Sequence, residues 1–156
     1  MALYHETPFD YINTALELAV KAHTGQVDKG NGLPYILHPL TVASRVQIPE
    51  QKAAAILHDT LEDTNLTPDD FRKANIPERV IELVEILTDP KDGDFVGYIN
   101  KITEDFDASV VKHADLEDNL SPQRGRGLND KIRGKIYLGL EIIETKYPNL
   151  KYQTGK

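Results

Sequence analysis

One short stretch holds most of the groups in this chain that can do acid–base or metal chemistry. It runs Lys52-Ala53-Ala54-Ala55-Ile56-Leu57-His58-Asp59-Thr60-Leu61-Glu62-Asp63-Thr64. The first half is small and branched apolar residues, suited to burial. The second half presents one imidazole and three carboxylates within six positions. On a helix, residues three or four apart share a face. His58 with Glu62, Asp59 with Glu62, and Asp59 with Asp63 all have that spacing. Three carboxylates held together repel one another unless solvent or a cation sits among them. The stretch is therefore either a solvated acidic helix end with a histidine beside it, or one wall of a cation site.

Two distant positions carry groups that would complete such a site. His38 precedes Pro39, and proline is well placed at the first position of a helix, so His38 is expected at a helix start. Asp115 follows Ala114 and lies four residues after Val111, so it projects from near an apolar face. A carboxylate there needs an ion partner or a metal. With His58 and Asp59, these residues make two imidazoles and two carboxylates, a mixed nitrogen and oxygen set that suits Mn²⁺, Fe²⁺ or Zn²⁺. Helical neighbours such as His58 and Asp59 point apart, so both reach one ion only if the helix is distorted there.

The elements that must position these groups read as helices. Apolar residues recur at helical spacing over Pro8–Ala22, with Asp10 in the first turn or at the cap. His23 continues that stripe and reads as a core histidine. Gly25, Gly30, Gly32 and Pro34 mark a loop. Further helices are expected from Pro39 to about Val46, from Pro49 to about Thr64, after the Thr67-Pro68-Asp69-Asp70 start signal, and over Pro77–Leu87 and Phe95–Thr103. Two more are expected from Ala108 to about Leu120, capped by Asp107, and over Asn129–Tyr147. No stretch alternates with period two. The expectation is an all-α bundle of about seven or eight helices in a single domain over residues 1–156.

Composition narrows the partners. The chain has 156 residues, 40% hydrophobic, which suits one globular core. Cysteine is absent, excluding disulfides, thiolate metal sites and a cysteine nucleophile. The longest apolar run is far too short to span a membrane, and the N-terminus lacks the order of a signal peptide, so a cytoplasmic location is expected. The formal net charge of −7 disfavours long nucleic acid, whose phosphates need basic patches. A small phosphorylated ligand remains compatible, given a metal and a few local cations.

The compound pattern resembles a known family. Pro34-Tyr35-Ile36-Leu37-His38-Pro39, His58-Asp59 with Glu62-Asp63-Thr64, and Lys112-His113-Ala114-Asp115 with Asn119 are similar to the HD-domain metal-dependent phosphohydrolases. The closer likeness is to small alarmone hydrolases and to the hydrolase domain of bifunctional alarmone synthetase/hydrolases. The resemblance implies one divalent metal, manganese first with iron(II) or zinc as alternatives, held by His38, His58, Asp59 and Asp115. Glu62 and Asp63 match the acid pair that handles the attacking water. Lys29, Asn119, Arg133 and Tyr137 match substrate-binding positions, and Arg124 or Arg126 would help offset phosphate charge.

The implied activity is hydrolysis of guanosine 3′,5′-bis(diphosphate), ppGpp, to GDP and pyrophosphate, with no synthetase activity expected at this length. The chain departs from the family at Asp28, where a basic residue is usual, at His113, where leucine is usual, and over Leu120–Gly127. Those departures keep two alternatives in play: an HD-domain nucleotidase or phosphatase on another nucleotide or phosphomonoester, and a non-catalytic nucleotide-binding HD module.

Overall fold

Proline and short capping side chains decide where most of the helices begin. In the computed structural model, which describes residues 7–125 and 127–152, nine α-helices and one 3₁₀ turn account for the regular structure. Helix α1 (Pro8–Ala22) opens with a reciprocal cap: Asp10 N–H donates to Thr7 Oγ1, and Thr7 N–H donates to the Asp10 carboxylate. Helix α2 (Leu37–Ser44) starts one residue before His38, with Pro39 in its first turn. Helix α3 (Pro49–Leu57) and helix α4 (Thr60–Asp63) divide the long helix expected from Pro49 to Thr64. Helix α5 (Pro68–Lys73) repeats the Thr-Pro-x-Asp capping box with Thr67 and Asp70.

Helices α6 (Glu78–Leu87) and α7 (Phe95–Ile102) follow the expected bounds within a residue. Helix α8 (Phe106–Asn119) begins two residues earlier than expected because Asp105, not Asp107, caps it: the Asp105 carboxylate accepts from Ala108 N–H. Asp107 instead accepts from Gln51 and pairs with Arg79 at 3.0 Å. Helix α9 (Asp130–Lys146) is capped by Asn129, and a 3₁₀ turn over Pro148–Tyr152 folds back after it.

Helix α3 is the axis of the bundle. It packs against α1, α2, α6 and α8, and Ala53, Ala54, Ala55 and Leu57 are fully sealed from solvent. Three consecutive alanines make that crowding possible, since small side chains let four neighbours approach one helix. Phe71, Ile81, Leu83, Ile99, Ile102 and Ile143 fill the remaining core. Burying each such side chain contributes on the order of 1.5–3 kcal/mol. No helix among the described residues is long and apolar enough to cross a membrane.

Candidate metal centre

The break between α3 and α4 does what a straight helix cannot. At Leu57 the helical hydrogen bonding stops. Thr60 Oγ1 donates to the Leu57 carbonyl at 2.7 Å, and His58 Nδ1–H donates to the Ala55 carbonyl at 2.6 Å. In an unbroken helix, Asp59 would point about 100° away from His58. Here Asp59 Oδ2 lies 3.0 Å from His58 Nε2.

Two other helices deliver the rest. His38 on α2 places Nε2 at 3.0 Å from Asp115 Oδ1 and 3.7 Å from Asp59 Oδ2. Asp115 on α8 places the same oxygen 3.4 Å from His58 Nε2. One ligand atom each from His38, His58 and Asp115 lies within 4.8 Å of the others, and all three residues are buried. The four groups expected to converge therefore share one volume.

The arrangement fits a divalent ion on its donor chemistry. His58 Nε2 is buried and has no hydrogen-bond partner, while Nδ1–H is committed to Ala55. That leaves the Nε2 lone pair aimed at two carboxylates. His38 is held similarly: Nδ1 lies 2.8 Å from the buried Asp118 carboxylate, the kind of outer contact that fixes a ligand histidine's tautomer. Burial alone would push the His58 imidazole down, but Asp59 and Asp115 reverse that and hold it well above its ordinary value. Burial opposes ionisation of Asp115 too, yet Lys112 and His58 keep its carboxyl well below the usual range. The cluster thus demands positive charge, whether protons on the imidazoles or a metal that displaces them.

The sequence model of the HD domain matches residues 15–96, just over half of the chain. The chain belongs to the HD-domain family. Its His58-Asp59 doublet falls inside the matched span, while Asp115 lies beyond it. A guanosine-3′,5′-bis(diphosphate) 3′-pyrophosphohydrolase of Aquifex aeolicus is 43% identical over 81 residues, covering 49% of this chain and 11% of that protein. A protein of the same description from Vibrio cholerae serotype O1 is 29% identical, covering 95% of this chain and 24% of that protein. The chain thus spans about a tenth to a quarter of the length of these curated relatives. A solved structure described as a metazoan ortholog of SpoT that hydrolyzes ppGpp superposes with a TM-score of 0.76 at 23% identity, covering 97% of this chain and 94% of that one. That likeness establishes the all-helical HD fold.

Around the HD motif, Tyr35 donates its hydroxyl to Asp59 Oδ2, and burial together with the Asp59 charge pushes the phenol far above its ordinary value. Lys112 Nζ lies 2.9 Å from Asp115 Oδ2. Neither contact was anticipated as such. Both have a sequence signal in retrospect: Tyr35 precedes His38 by three residues, and Lys112 precedes Asp115 by three on one helix.

A cavity of about 860 Å³ lies beside the cluster. Lys29, Asp63 and Asn119 line it, as expected for groups that meet a substrate. Glu62 is not in its lining. The Glu62 carboxylate accepts from Asp89 N–H at 2.7 Å and lies 3.3 Å from Lys91. Burial and the Asp59 charge raise the carboxyls of both Glu62 and Asp63.

Helix α9 turns a different face to the cavity from the one expected. Ile132, Lys135 and Ile136 line it, with Lys135 Nζ 5.9 Å from the centre of the Phe95 ring. Arg133 instead donates to the Gly125 carbonyl, and Tyr137 is exposed over a separate surface pocket. The physical reason is register. Ile136, Gly139, Leu140 and Ile143 take the buried stripe, which rotates Tyr137 outward. Arg126 lies outside the described residues. His113 is buried, with Nε2 3.0 Å from Glu144 of α9, and so ties two helices together.

Proposed function

We propose that this HD domain is a metal-dependent phosphohydrolase that cleaves guanosine 3′,5′-bis(diphosphate) to GDP and pyrophosphate. The observation that carries the reading is the buried meeting of two imidazole nitrogens and two carboxylates beside a cavity of about 860 Å³ with lysines on its walls. The names of the Aquifex and Vibrio relatives support the choice of substrate.

In this reading His38, His58, Asp59 and Asp115 hold one divalent ion, manganese before iron(II) or zinc. When bound, such an ion supplies Lewis acidity and lowers the pKa of a coordinated water toward neutrality. The chain's own groups do the rest. Tyr35 fixes the Asp59 carboxylate through its hydroxyl, and Lys112 and Asp118 fix Asp115 and His38. Asp63, on the cavity wall, and Glu62, one turn beyond His58, accept the proton that the attacking water gives up. Their raised carboxyls bring them nearer to a working pH than an ordinary acid would be. Lys29 and Lys135 offset phosphate charge, and Asn119 offers its carboxamide to the nucleotide.

The test is direct. Metal-stripped protein reconstituted with Mn²⁺ is expected to release pyrophosphate and GDP from ppGpp. Release of inorganic phosphate from nucleoside monophosphates, with ppGpp left intact, would replace this reading with a nucleotidase. Nucleotide binding without turnover in any divalent metal would replace it with a binding module.

A further inference from the structure

The two loops that flank the cavity are fastened by one buried ion pair. Arg124 Nε donates to Asp28 Oδ2 at 2.5 Å, with the two side chains only 16% and 6% exposed. Asp28 Oδ1 accepts from Gly30 N–H at 2.8 Å, so the whole carboxylate is engaged. The loop backbones touch as well. A Cβ at Gly30 would collide with the Arg124 carbonyl oxygen, so only glycine permits the approach. The Arg124 guanidinium lies 6.0 Å from the centre of the Tyr35 ring, and its Nη1 donates to Asn119 Oδ1.

This pair stands between two cavities. Asp28, Gly30 and Arg124 line both the cavity of about 860 Å³ and a neighbouring one of about 660 Å³ that reaches His38 from the other side. Two consequences follow for anything bound in the larger cavity. The Asp28 carboxylate, which would repel a polyanion, is neutralised where it stands. The Asn119 carboxamide has its oxygen occupied, which leaves its amide nitrogen on the Asp115 side, with Nδ2 3.4 Å from Oδ1. An amide held this way is a donor to a ligand and not an acceptor.

We propose that Arg124, anchored by Asp28, is a positioning residue for the nucleotide: it fixes Asn119 as a hydrogen-bond donor and closes the wall between the two cavities. The Asp28–Arg124 strap spends its own charges on each other, so the substrate's phosphates fall to Lys29 and Lys135. The inference rests on the reading of the larger cavity as a nucleotide site. It assigns Arg124 a role that neither its place in a glycine-rich loop nor its charge alone would give.

A double-mutant cycle between Arg124 and Asn119 tests it on manganese-loaded protein. Arg124→Ala is expected to raise KM for ppGpp by about tenfold or more while kcat changes by less than about threefold and bound manganese stays the same. In an Asn119→Ala background the same substitution is expected to cost little, because the group it positions is gone. Arg124→Gln, which keeps an amide donor, should recover part of the loss and covers the case in which Arg124→Ala fails to fold. Calorimetric titration with GDP gives the same comparison without turnover. Additive losses in the cycle, or a fall in kcat or metal content with KM unchanged, would overturn the positioning role. Wild-type protein that neither cleaves ppGpp nor binds GDP would overturn the nucleotide reading itself, and this inference with it.

Discussion

Lys112 Nζ sits 2.9 Å from Oδ2 of Asp115, one turn away on α8, and leaves Oδ1 of the same carboxylate to face His38 and His58. The two side chains are 15% and 6% exposed, so the pair is largely removed from water. One oxygen is spent on a built-in cation and the other is offered to the cluster.

Lys112→Met should therefore have a cost that depends on metal. Removing one partner of a buried pair leaves the other uncompensated, which costs about 3 kcal/mol or more. Urea unfolding in the presence of a chelator is expected to show that loss. With manganese the loss should shrink, because the ion stands in for the missing ammonium. An equal loss in both conditions would mean that Asp115 does not face the ion.

Metal removal should be visible in the wild-type fold. An ion that binds only the native state, at a hundred times its dissociation constant, adds about 2.7 kcal/mol. Chelation is expected to lower the melting temperature, and Asp59→Ala to abolish both that increment and turnover. Glu62→Gln and Asp63→Asn are expected to keep the metal-dependent rise in melting temperature while losing about 10²–10⁴-fold in turnover. Loss of the metal response in either variant would move that carboxylate into the ligand set.

Asp105 gives a pH prediction away from the site. Its carboxylate caps α8 through Ala108 N–H and meets the Arg79 guanidinium at 2.8 and 3.0 Å. Burial raises this carboxyl, but the Arg79 hydrogen bonds outweigh it and hold the group below its ordinary value of 3.8. A depressed carboxyl contributes stability that is present above its ordinary value and is lost as the pH falls through the lower folded value. Asp105→Asn keeps the cap, since asparagine caps as well as aspartate does. The substitution isolates the ion pair. It should cost about 1 kcal/mol at pH 7, given a half-exposed arginine, and almost nothing near pH 2. A pH-independent cost in urea unfolding would show that the pair contributes no net charge stabilisation.

Most of the helices are legible in the sequence because their ends are marked by local chemistry. Thr7 with Asp10, Thr67 with Asp70, and Asn129 all cap where their types predict. The cap of α8 was misread because Asp105 and Asp107 are equally good in isolation. What separates them is Arg79, which comes from another helix. The His and Asp cluster was legible as a set of types, but its geometry required a break that no proline or glycine announces between Leu57 and Thr60. The facing of α9 failed for a tertiary reason. Its helical spacing permits several stripes, and packing against α8 and α7 selects the one that turns Tyr137 outward. The Asp28–Arg124 pair, 96 residues apart, has no local signature at all.

The interruption at His58 sets this protein's stability against its chemistry. Backbone hydrogen bonds lost at the break would be regained by a continuous helix, and most stabilising design would restore them. Doing so would rotate Asp59 away from His58 and take the cation's cage apart. The site is thus a maintained irregularity, and variants selected for heat resistance at positions 57–60 should tend to be the ones that no longer turn over.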